Sequence, residues 1–138
     1  MKRVIVLSNT VGREFSSPVK TTAIRSIGDT QVVSLLTSKD CDYIKLVDRI
    51  AKTSNNLFVD LEKKQPLNLK NEVNQGGNLF QSISHAINTL KLNNKLNLYP
   101  IKLNDLTVSA TWKHLNQEYQ DISGLKIGLI GTGNIGSK

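Results

Sequence analysis

Cysteine is nearly absent. Cys41 stands alone among 138 residues, which excludes a disulfide framework and any thiolate metal site; a solitary cysteine reads as a small core residue. Aromatic residues make up 5% of the chain and do not interleave with Lys and Arg as in RNA-binding modules, so no nucleic-acid partner is expected. The cations are dispersed as well. Lys and Arg outnumber Asp and Glu by 18 to 11, a net charge of +7, yet no run of five occurs. That excess suits an anionic substrate or a phosphate-bearing cofactor. The apolar run after Met1-Lys2-Arg3 is too short for a signal h-region or a membrane span. The expectation is a soluble, cytoplasmic protein with no membrane partner. His85 and His114 have no companions at metal-ligand spacing, so no metal is expected. No repeat or low-complexity segment occurs.

What is present is an alternation of short apolar runs and amphipathic stretches. Val4 to Ser8 reads as a first strand. Ser17-Pro18 opens a segment ending near Gly28 that suits a helix, with Ser17 as N-cap and Pro18 at the first helical position. Gln31 to Leu36 reads as a second strand. Asp40 to Lys52 is an amphipathic helix through Tyr43, Ile44, Val47 and Ile50, and Asn56 to Leu61 is a third strand. Glu62 to Gly77 is polar, contains Pro66, and reads as a loop. Leu79 to Leu90 is helical, with a break into extended chain near Asn88. Leu96 to Leu103 is an edge strand carrying Pro100. Thr107 to Gln120 is a helix closed by Gly124. The fold class is α/β: an open, largely parallel sheet with flanking helices, followed by the first strand and glycine turn of a Rossmann-type domain. The boundaries fall at 1–106 for a substrate-binding domain, 107–123 for a linking helix, and 124–138 for the start of a nucleotide lobe.

The last segment carries the clearest motif. Gly124-Leu-Lys-Ile-Gly-Leu-Ile leads into Gly131-Thr132-Gly133-Asn134-Ile135-Gly136, a strand pattern followed by G-x-G-x-x-G. Gly131 permits the tight turn, Gly133 a close backbone approach to the pyrophosphate, and Gly136 close packing of helix on strand. These six residues are the expected cofactor site. Little of the following helix is in the sequence, so the chain is expected to be the front part of a longer oxidoreductase, itself inactive.

A second set of residues is spaced along the first domain. Ser16-Ser17-Pro18 follows strand one, Val59-Asp60-Leu61-Glu62-Lys63-Lys64 ends strand three, Ala86-Ile87-Asn88-Thr89-Leu90 lies further on, and Asn104-Asp105 ends the next strand. In a parallel α/β sheet, ligands collect outside the carboxyl ends of the strands. Hydroxyls, an amide, an ammonium and a carboxylate there could hold a small polyhydroxy acid.

With these segments in this order, the chain resembles the shikimate dehydrogenase family. That family carries S-x-S-P after its first strand, then N-V-T-x-P-x-K, A-V-N-T-L, and N-T-D before the linking helix. The resemblance covers all 138 residues in order and spacing. It implies catalysis by Lys64 with Asp105 as its partner, and binding of a small hydroxy-acid substrate by Ser17, Asn88 and Thr89. It further implies NADP as cofactor, with NAD possible, in aromatic amino acid biosynthesis. Phe15, Asp60 and Glu62 depart from the pattern, standing where the family has serine, threonine and proline. An added carboxylate at Asp60 disfavours an anionic group beside it and leaves a neutral or cationic relative of the substrate open. Two alternatives remain: a D-2-hydroxyacid dehydrogenase, whose lead-in to the cofactor strand is similar, and a non-catalytic substrate-binding lobe.

Overall fold

The computed structural model describes residues 1–10, 16–63, 77–119, 121, 123, 124 and 126. They fall into two compact units, Met1–Ile101 and Lys102–Lys138. The first unit holds a five-stranded sheet and two helices in the order β1 (Lys2–Asn9), β2 (Val19–Ile27), β3 (Thr30–Thr37), α1 (Tyr43–Ala51), β4 (Asn56–Asp60), α2 (Leu79–Thr89) and β5 (Asn97–Ile101). The second unit holds α3 (Leu103–Glu118).

The strands lie in the order β2-β3-β1-β4-β5. β1 pairs in parallel with both β3 and β4, β4 pairs in parallel with β5, and only β2 runs antiparallel. The sheet is therefore largely parallel, as expected. The segment expected to be a helix from Ser17 to Gly28 is instead the strand β2. Its residues, Val-Lys-Thr-Thr-Ala-Ile-Arg-Ser-Ile, are rich in β-branched side chains, which pack better on a pleated surface than in a helix. Gly28, at φ +58, makes the turn into β3 that a side chain would resist. The β2–β3 register shifts between Thr21 and Ala23, leaving a bulge in the edge strand, a common device for twisting an edge away from unwanted pairing.

β1 buries Ile5, Leu7 and Asn9 on one face while Val4, Val6 and Ser8 on the other are half-buried. The register puts Leu57 beside Ile5 and Val59 beside Leu7, and all four belong to the core shared with α1 and α2. α1 contributes Tyr43, Leu46, Val47, Ile50 and Ala51, a 3.6-residue stripe. It starts at Asp42, whose Oδ1 accepts from Lys45 N at 3.1 Å. α2 contributes Leu79, Ile83, Ala86 and Ile87. It opens with a reciprocal cap in which Gln81 N donates to Asn78 Oδ1 (2.9 Å) and Asn78 N donates to Gln81 Oε1 (3.1 Å).

α2 does not break near Asn88. It continues through Thr89, and the left-handed residue that ends it is Lys91, at φ 55. Lys91 N donates to Asn88 O and Leu92 N to Ile87 O, both at 3.0 Å, the paired bonds of a Schellman motif. The third helix also begins earlier than its sequence pattern suggests. β5 ends at Ile101, and Asn104 and Asp105 lie in the first turn of α3 rather than at a strand end. α3 buries no residue. No described helix is long and apolar enough to cross a membrane. The strand expected over 127–130 and the glycine turn expected after it lie outside the described residues.

Candidate functional site at the strand ends

The strand order decides where a ligand site can form. From β1 the chain passes to β3 on one side, and from β3 it crosses over to β4 on the other side of β1. The carboxyl ends of β1 and β4 thus flank a topological switch point, where the outgoing connections diverge and leave a crevice.

Polar side chains concentrate at this end. The described residues include six buried polar ones, Asn9, Thr37, Ser38, Ser54, Asp60 and Ser82. Asn9, Thr37, Ser38 and Asp60 all sit where β1, β3 and β4 finish. Thr37 Oγ1 lies 3.3 Å from Ser8 O and 3.2 Å from the Tyr43 hydroxyl. Backbone bonds tie the strand ends together: Thr10 N to Thr37 O (3.1 Å), Ser38 N to Pro18 O (3.0 Å) and Leu61 N to Ile101 O (2.8 Å). Asp60 is 2% exposed, and its Oδ1 accepts from Glu62 N at 3.1 Å.

Ser17 reaches this end by a different route from the expected one. β2 is antiparallel, with Val19 opposite Thr37, so its amino end lies beside the carboxyl ends of the parallel strands. Ser17, just before it, is exposed there. A groove of about 610 Å³ runs from Ser17 and Cys41 along α1 to Arg3 and Arg49, floored by Val33 and Leu35. Cys41 itself is buried, and that burial, with Asp42 adding to it, pushes its thiol up to about 12. Such a thiol is protonated at neutral pH and is no nucleophile.

Lys64 lies outside the described residues. Its neighbour Lys63 is exposed just past β4, and Lys63 O accepts from Leu79 N at 2.8 Å. Asn88 and Thr89 are not brought to this end. α2 leaves the carboxyl side beside Lys63 and returns the chain to the amino end of β5, so its last residues lie at the opposite end of the sheet. Both are exposed, and Thr89 Oγ1 donates to His85 O at 2.9 Å. Asp105 belongs to the second unit, half-buried in the first turn of α3, where a carboxylate complements the helix dipole. The cofactor residues Gly131, Thr132, Gly133, Asn134, Ile135 and Gly136 lie outside the described residues.

Sequence reasoning did not single out Asn9, Thr37 or Ser38. The available signal was the abrupt change from β-branched residues to Asn9-Thr10 and to Thr37-Ser38. No family model, no curated protein and no solved structure matches this chain.

Proposed function

We propose that the chain is the substrate lobe, with the opening strand and glycine turn of the nucleotide lobe, of an NADP- or NAD-dependent dehydrogenase similar to shikimate dehydrogenase. The intact enzyme would interconvert 3-dehydroshikimate and shikimate, or a related keto and hydroxy acid. The observation that carries this reading is the sequence Lys126-Ile-Gly-Leu-Ile-Gly131-Thr-Gly133-Asn-Ile-Gly136, set after an α/β unit. The crevice at the carboxyl ends of β1 and β4, with its concentration of polar side chains, supports it.

The dinucleotide, when bound, accepts or supplies the hydride. By the resemblance, Lys64 would exchange the proton of the reacting hydroxyl with Asp105 as its partner residue, and Ser17 would bind the substrate. Asn88 and Thr89 also enter the proposal only through the resemblance, since α2 carries them to the far end of the sheet, as do Lys64, which lies outside the described residues, and Asp105, which belongs to the second unit.

Lys64→Ala in the intact protein is expected to lower turnover by about 10²–10⁴-fold, followed by nicotinamide absorbance. Unchanged hydride transfer would remove Lys64 from the mechanism. Dinucleotide binding without turnover of any hydroxy acid would favour the non-catalytic lobe.

A further inference from the structure

Asp60 is the one buried carboxylate among the described residues. Within that set its single hydrogen-bond donor is Glu62 N, and no Lys, Arg or His pairs with it. A carboxylate removed from water is costly to keep without a counter-charge, and one backbone N–H leaves most of its acceptor capacity unused. Its place is also particular. It is the last residue of β4, at the switch point, and the β1–β4 register runs through Leu7 opposite Val59. Ser8 and Asp60 are therefore the next residues along, on neighbouring strands spaced by about 5 Å. Both project from the same sheet face.

We infer that Asp60 is a ligand-recognising residue and that it takes a protonated primary amine. The ligand class is then a small amino-alcohol or amino-bearing hydroxy acid, its ammonium against Asp60 and its hydroxyls within reach of Ser8 and the strand-end carbonyls. An ammonium supplies three donors to a carboxylate, a hydroxyl and a carbonyl. A hard divalent cation would call for several carboxylate oxygens at once, and among the described residues no group of three metal-ligating side chains stands together. This inference rests on reading the strand-end crevice as the substrate site.

The test uses the whole chain, without dinucleotide, and two probes that differ by one group: serinol (2-amino-1,3-propanediol) and glycerol. Glycolate serves as the anionic control. Amide resonances of Leu61 and Glu62 are followed by NMR. Serinol is expected to shift them and saturate in the millimolar range, with glycerol and glycolate weaker by at least about tenfold. Asp60→Asn, which keeps an acceptor for Glu62 N, is expected to abolish the serinol response. If that variant does not fold, the comparison of serinol with glycerol in the unaltered chain decides alone. Equal response to both, preference for glycolate, or no response to any probe overturns the inference. Hydride transfer by the intact protein is measured separately, so a failed dehydrogenase reading and a failed Asp60 assignment give different results.

Discussion

Ser54 meets three backbone groups, on two neighbouring strands, with one hydroxyl. Its Oγ lies 2.6 Å from Arg3 O and 2.9 Å from Asn56 O, and it accepts from Asn56 N at 3.1 Å. A hydroxyl has one proton, so the nearer carbonyl, on β1, receives it. Ser54→Ala leaves Asn56 N short of an acceptor in a buried place and is expected to cost about 1–3 kcal/mol, measured by urea denaturation. Cys41 gives a second prediction at this scale. Burial raises its thiol from the ordinary 9.0 to about 12 in the fold, so the unfolded chain gives up that proton first as pH rises. The stability tied to this residue is full below pH 9.0 and lost on the way to about 12. The urea midpoint of the native chain should therefore fall more steeply across that window than that of Cys41→Ala, and iodoacetamide should leave the folded thiol unmodified at neutral pH. That Cys41 belongs to the core was legible from its isolation in the sequence. The burial of Asp60 was not, because the sequence shows it beside Glu62, Lys63 and Lys64 as part of a charged run, and only strand pairing takes it out of water.

At the scale of elements, caps decided more than propensity. Asp42 holds the start of α1 by accepting from Lys45 N, and that bond, ahead of the charge of Lys45, lowers its carboxyl below the usual range. A lowered carboxylate contributes its stability above the ordinary carboxylate pKa and loses it as pH falls through the folded value. Asp42→Ala should cost about 1 kcal/mol at neutral pH, and less in acid. At the other helix, Lys91 occupies the left-handed position of the Schellman motif, where a Cβ is strained. Lys91→Gly is expected to raise stability by about 1 kcal/mol, read as an increase in Tm. The sequence pointed to a break near Asn88, but Ile87 and Leu90 pack against the core and carry the helix past it. The β2 segment was misread for a related reason. Ser17-Pro18 is a good helix start in isolation, and the pairing partner that makes Val19 to Ile27 a strand is β3, which follows it. The runs of Ile5, Leu7, Leu57 and Val59, and the α1 stripe, were legible because burial on one face imposes a period that no local signal overrides.

For the whole molecule, the order β2-β3-β1-β4-β5 fixes both the crevice and the core. Leu57 lies at 0% exposure beside Ile5, and Leu57→Ala should cost about 2–5 kcal/mol with loss of the cooperative transition as the measurement. The sheet order itself was out of reach of the sequence, since β1 and β3 are linked through an edge strand rather than a helix and no periodicity reports that. The same linkage has a consequence for how the chain comes to be folded. β1 is synthesised first, yet Val4 has Val32 on one side and Asn56 on the other, so both of its neighbours emerge later. The β2–β3 hairpin needs only local contacts and can close while the rest is still being made. The central strand can gain β3 on one edge first, but its other edge must stay open until β4 has left the ribosome, and that interval is when a newly made chain of this design most needs a chaperone.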